Sequence, residues 1–210
     1  YTTIGGGRYN KVYAAYGQIR GGLYNTVKGY AGTVTGGAYN TIYSGKYVTV
    51  VGGISALMYT AYASTVVGGQ DHKIDGAYST IIGGDENTVL GDFSNIGGGW
   101  DNYISGSYST IGGGRGIYVY SSYASIGGGI YGLAAGYATR TGGMNNKAYG
   151  LYSTIGGGNS NTVYGYAGSV GGGLSAYVNG YAYDGKLPQK FSCSVAFDVV
   201  APVISLAWWC

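Results

Sequence analysis

Isoleucine or valine stands immediately before a glycine-rich turn at Ile4, Ile19, Val34, Val50, Val66, Ile81, Ile96, Ile111, Ile126, Ile155 and Val170, with one irregular unit between Ile126 and Ile155. The interval is 15 residues, occasionally 16. A second apolar column runs between these positions: Val12, Val27, Ile42, Met58, Ile74, Val89, Ile104, Val119, Ala134, Ala148, Val163 and Val178. Apolar residues that recur 8 and then 7 apart mark two short strands per unit. A unit this small has no core of its own, so burial must come from stacking neighbours. The period predicts one β-solenoid of about twelve 15-residue coils.

The consensus reads Asn-Thr-Val-x-Gly-x-Tyr-Ser-Thr-Ile-x-Gly-Gly-x-x. Period-2 alternation turns Asn and Val of the first strand, and Ser and Ile of the second, toward the interior. Glycine after each strand supplies the positive φ, or the missing Cβ, that a tight corner needs. Adjacent coils lie ~4.8 Å apart, which makes the rod on the order of 55–60 Å long. The repeats span 1–185. Residues 186–210 lose the period and gain large apolar side chains, as expected of a strand-forming cap, the start of a further domain, or a strand donated to a neighbour.

The composition agrees with a periodic, sparsely charged surface. The chain holds 45 Gly and 26 Tyr but 2 Pro in 210 residues, with 9% charged residues and a net charge of +3. There is no Gly-X-Y period for collagen, and Val, Ile and Tyr are too plentiful for a flexible linker. No basic stripe is available for nucleic acid, and no apolar run is long enough to cross a bilayer, so membrane insertion is not expected. The sequence begins inside a repeat, without Met or a leader, as a piece of a longer precursor would. Cys193 and Cys210 could form a disulfide that staples the cap, consistent with an oxidising, extracellular or cell-surface location.

Several columns are candidate sites. The inward amides Asn10, Asn25, Asn40, Asn87, Asn102, Asn146 and Asn161 should form a ladder, because unpaired polar groups inside the rod would be costly. His72, the only histidine, occupies the same column and reads as a substitute for Asn. In the irregular unit Tyr137-Ala138-Thr139-Arg140-Thr141-Gly142-Gly143, a residue missing from the glycine turn would point Thr139 and Thr141 inward and Arg140 to solvent. Outward hydroxyls form a column at Thr3, Thr33, Thr49, Thr65, Thr80, Thr110, Ser125, Thr154 and Ser169, either as good strand residues or as a flat lattice able to bind ice. Tyr9, Tyr24 and Tyr39 make one tyrosine column, and Tyr78, Tyr108, Tyr123, Tyr137 and Tyr152 another. Asp71, Glu86 and Asp101 share a position in successive coils, where a calcium ion could relieve their repulsion. One histidine, scattered carboxylates and two late cysteines make no catalytic constellation. The Gly-Gly-Gly runs precede no helix and are not phosphate loops.

The alternation seen in Asn161-Thr162-Val163-Tyr164-Gly165 and Ser153-Thr154-Ile155-Gly156-Gly157 resembles the head repeats of trimeric autotransporter adhesins, which are left-handed parallel β-rolls on bacterial surfaces. The outward positions that form the hydrophobic trimer interface in those adhesins are largely Thr and Gly here. The 8-then-7 spacing and units such as Asn25-Thr26-Val27-Lys28-Gly29 are also similar to the ice-binding β-rolls of grasses, which are monomeric. Both resemblances cover residues 1 to about 183 and imply a left-handed parallel β-roll. The expectation for function is a non-enzymatic, adhesive building block of an extracellular fibre or cell-surface appendage, with self-association as its partner chemistry. Ice binding through the Thr column is the alternative, and glycan binding by the tyrosine ladders a third.

Overall fold

The structure, a computed structural model, describes residues 1–179. The expected cap at 186–210, its cysteines Cys193 and Cys210, and the boundary at 185 lie outside the described residues.

Among the described residues, twenty-four two-residue strands run from β1 (Thr3–Ile4) and β2 (Lys11–Val12) to β23 (Ser169–Val170) and β24 (Tyr177–Val178). Odd strands form one parallel twelve-stranded sheet and even strands another. We call them the threonine sheet and the asparagine sheet after their outward and inward side chains. The fold is therefore an all-β parallel solenoid of twelve coils. Each strand is too short to be stable alone. What fixes it is the coil-to-coil ladder, in which Gly5 N–H donates to the Ile19 carbonyl at 2.8 Å and Lys11 N–H to the Asn25 carbonyl at 2.8 Å, repeated along the rod.

The core is two facing aliphatic columns. From Ile19 to Ile155 on the threonine sheet and from Val27 to Val163 on the asparagine sheet, the aliphatic members are solvent-free. Because inward and outward residues alternate, a one-residue slip in any coil would exchange core for surface. Length variation is therefore confined to one corner. The step from a threonine-sheet core residue to the next asparagine-sheet core residue is eight in every coil, as in Ile81 to Val89. The return step, through the tyrosine corner, is usually seven, but eight from Ile42 to Val50 and from Met58 to Val66, and six from Ala134 to Arg140.

That last step corrects the expected register of the tenth coil. The missing residue is in the tyrosine corner at Gly136-Tyr137, not in the glycine turn. Consequently Thr139 pairs with Ser125 and Thr154 on the outer face, while Arg140 pairs with Ile126 and Ile155 and is buried at 1% exposure. Desolvation depresses the Arg140 pKa. The guanidinium fits because Gly132 stands where most other coils have Asn: an ideal Cβ on Gly132 would fall 1.2 Å from Arg140 Nη1.

Candidate functional site

The asparagine column lies inside the rod from Asn25 to Asn161. Each carboxamide does three jobs. Asn102 Nδ2 donates to the Gly98 and Gly114 carbonyls, both at 3.0 Å, and its Oδ1 accepts from Ile117 N–H at 3.1 Å. Asn10, Asn25, Asn40, Asn87, Asn146 and Asn161 repeat the donations to glycine carbonyls of their own coil and the next. The column ties the glycine turn of one coil to that of its neighbour. Where Gly132 supplies no amide, Arg140 Nη2 reaches the two equivalent carbonyls, Gly128 at 2.8 Å and Gly143 at 3.5 Å. Arginine has no acceptor, so it can mimic only the donor half of the asparagine. Its Nη1 has no partner.

A second polar ladder, on the threonine sheet, was not anticipated as a bonded system. Ser64, Ser79, Ser94 and Ser109 each donate to a corner carbonyl of the next coil, for example Ser79 Oγ to Gly91 at 2.9 Å. Their oxygens accept the N–H of Ser79, Ser94, Ser109 and Ala124, at 3.1–3.2 Å. The inward Ser of the consensus was the signal for it.

His72 fills an asparagine position and is 1% exposed. Its Nδ1 accepts from Asn87 N–H at 3.3 Å, while Nε2 finds no well-formed partner. Desolvation lowers its pKa, against smaller raising influences from Asp85, the Gly68 carbonyl and Asp71. The neutral ring is thus the folded form, and protonation would turn a donor against the Asn87 N–H. With the folded pKa below the unfolded value of about 6.5, this contribution is complete above pH 6.5. It is lost as pH falls through the folded pKa, at up to about 1.4 kcal/mol per pH unit. Denaturant unfolding between pH 7.5 and 5 should show this loss in the wild type, and His72→Asn should flatten it; an unchanged slope would refute the assignment.

The two outer faces differ. Along the threonine sheet the central outward residues are Thr3, Gln18, Thr33, Thr49, Thr65, Thr80, Asn95, Thr110, Ser125, Thr139, Thr154 and Ser169, in register from coil to coil. Every one is a short or medium polar side chain, and the corrected tenth coil adds Thr139 to the column. The equivalent column on the asparagine sheet reads Lys11, Thr26, Thr41, Leu57, Lys73, Thr88, Tyr103, Tyr118, Leu133, Lys147, Thr162 and Tyr177. It is uneven, with Lys28 over the Tyr43 ring and Lys73 over the Tyr59 ring.

An aromatic edge borders the threonine face. One ring per coil forms an unbroken series: Tyr1, Tyr16, Tyr30, Tyr47, Tyr62, Tyr78, Phe93, Tyr108, Tyr123, Tyr137, Tyr152 and Tyr166. Successive centroids are 4.8–6.3 Å apart. Where the corner residue is alanine, at Ala31, Ala63 and Ala167, the preceding Tyr30, Tyr62 or Tyr166 supplies the ring, edge-on or tilted to its neighbours. From Tyr78 to Tyr152 the rings are stacked face to face. Five of those columns' residues, Tyr78, Phe93, Tyr108, Tyr123 and Tyr152, hold left-handed backbone, with φ between 54° and 60°. Such a conformation costs an L-residue about 1–2 kcal/mol, and each stacked pair returns about 0.5–1.5 kcal/mol. Each pair is shared by two rings, so there is about one stacked pair per strained residue, and stacking offsets part of the strain. Tyr9, Tyr24 and Tyr39 form a shorter stack at the other corner, with centroids 4.6 and 5.3 Å apart.

The three carboxylates that a calcium ion could bridge are each bonded to a neighbouring side chain. Asp71 accepts from Gln70 Nε2, Glu86 from Trp100 Nε1 and Asp101 from the Tyr118 hydroxyl, each at 2.9–3.0 Å. The Asp101 bond raises the Tyr118 pKa and keeps that phenol protonated. Among the described residues no group of three His, Cys, Asp or Glu side chains is placed to hold a metal ion. The described residues contain no catalytic arrangement, and no helix among them is long and apolar enough to cross a membrane. Comparison with models of known protein families finds none that matches the chain. Comparison with characterised proteins finds no match in sequence.

Proposed function

We propose that the chain is a structural and adhesive rod of an extracellular fibre or cell-surface appendage, associating with other copies through the threonine face. The observation that carries this reading is the contrast between the two faces. Both columns belong to the same 15-residue repeat. The asparagine-sheet column has nevertheless diverged to Lys, Leu and Tyr, while the threonine-sheet column holds only Thr, Ser, Asn and Gln through twelve coils. Strand propensity applies to both sheets alike, so it does not account for the difference. A straight column of short polar side chains suits close approach of another regular surface.

The same column favours one second reading, ice binding, because a regular hydroxyl row also matches an ordered water lattice. Glycan binding by the long aromatic edge is disfavoured. From Tyr78 to Tyr152 the faces on which a sugar would stack are covered by neighbouring rings.

Negative-stain electron microscopy of concentrated protein should show rods aligned side by side, and Thr80→Lys with Thr110→Lys should disperse them. Dispersed single rods in the unaltered protein would overturn the fibre reading. Inhibition of ice recrystallisation by those rods, abolished by the same substitutions, would establish the second.

A further inference from the structure

We propose that the aromatic edge is a covalent cross-linking site, where tyrosines of one rod are oxidatively coupled to tyrosines of another by hydrogen peroxide and a haem peroxidase. The inference deepens the fibre reading and rests on it for biological setting, but its chemistry belongs to the edge alone.

The argument starts from what the stack exposes. Tyr78, Tyr108, Tyr123, Tyr137 and Tyr152 are 44–54% exposed, yet Tyr108, Tyr123 and Tyr137 have a stacked ring on both faces, and Tyr78 and Tyr152 on one, at 4.8–5.3 Å. What remains open is the outer rim, which carries the hydroxyl and the ring carbons beside it. Those are the atoms over which the unpaired electron of an oxidised phenol is spread.

Coupling then proceeds with a simple balance. Each of two phenols gives one electron to the peroxide-oxidised haem and its proton to water. The two phenoxyl radicals join through ring carbons ortho to oxygen, and the displaced ring hydrogens move to the oxygens. Two tyrosines and one hydrogen peroxide become one dityrosine and two waters.

Geometry directs that bond between rods. The new carbon–carbon bond must lie close to the plane of both rings, but stacked neighbours sit one above the other, with planes inclined by 3–24° in this segment. Coupling within the stack would require a ring to leave it. A second rod laid along the edge meets tyrosine rims at the ~4.8 Å coil interval, so a slip of one coil still opposes tyrosine to tyrosine. Phe93 has no phenol and is a single inert rung.

The test is peroxidase with hydrogen peroxide on a mixture of isotope-labelled and unlabelled full-length protein, followed by proteolysis and mass mapping. Dityrosine in mixed-label pairs, concentrated at Tyr78, Tyr108, Tyr123, Tyr137 and Tyr152, is the expected result. The variant with Tyr108, Tyr123, Tyr137 and Tyr152 all changed to Phe should lose covalent oligomer several-fold. Its fold should survive, since Phe93 already stacks at 4.8 and 4.9 Å in this column. A control with Tyr9, Tyr24, Tyr39 and Tyr43 changed to Phe should lose little. Same-label pairs between stacked neighbours in excess of the share that random mixing of the two labels gives, or equal loss in variant and control, would overturn the proposal. Filaments seen by microscopy without oxidant bear only on the fibre reading, so the two can fail separately.

Discussion

Gly132→Asn alone should destabilise the middle of the rod, and the same substitution combined with Arg140→Ile should make it more stable than the natural sequence. Asparagine is the consensus at position 132, yet its Cβ would fall on the Arg140 guanidinium. One of the two must be expelled, and overpacking of this kind costs about 1–3 kcal/mol, more where a charge loses its contacts. Arg140→Ile alone has the opposite fault. It leaves the Gly128 carbonyl without the 2.8 Å donation and an empty space beside Gly132, a loss of about 1–3 kcal/mol for the unsatisfied group. Together the changes restore an Ile on the threonine sheet and an amide on the asparagine sheet. They also remove a buried guanidinium with an orphan Nη1, for a net gain of about 1–4 kcal/mol. Solenoid stability is nearly a sum over neighbouring coils, so amide hydrogen exchange around Gly127 to Lys147 is the measurement of choice. Additive single and double effects would refute the pairing of Gly132 with Arg140.

This pair also marks what could be read from the sequence. The period, the two sheets and the inward asparagines follow from spacing alone, because a regular alternation admits one stacked arrangement. The missing residue of the tenth coil did not. Electrostatics argued for an exposed Arg140, and a deletion in the glycine turn would have achieved it. The structure places the deletion in the tyrosine corner, while the step across the glycine turn stays at eight residues in every coil. The clue was present as Gly132, a glycine in an asparagine column, but it had to be read together with a residue eight positions later. The aromatic edge was legible only in part for a similar reason. Tyr30, Tyr62 and Tyr166 sit one position before the corner residue and enter the series only because Ala31, Ala63 and Ala167 leave room.

The glycine turn gives the second large effect. In Gly97-Gly98-Gly99 and Gly112-Gly113-Gly114 the three residues look alike in sequence but do different work. Gly99 has φ of 95°, and a Cβ there would meet the Gly114 carbonyl oxygen at 2.1 Å and Asn102 Nδ2 at 2.6 Å. That oxygen already accepts from Trp100 N–H at 2.9 Å and Asn102 Nδ2 at 3.0 Å. Gly99→Ala should therefore wedge two coils apart, strain the backbone and break part of the ladder at once. The expected loss is more than about 4 kcal/mol, the range reserved for combined core faults. Gly113 faces the other way: its nearest non-neighbouring atom is the Gly98 oxygen at 4.0 Å, and its φ is outside the left-handed region. Gly113→Ala should stay within about 0.5 kcal/mol of the natural protein. Exchange protection of the Trp100 and Tyr103 amides separates the cases, since it should collapse for Gly99→Ala and persist for Gly113→Ala. Equal protection in both variants would mean that the turn is looser than a backbone approach of this closeness allows.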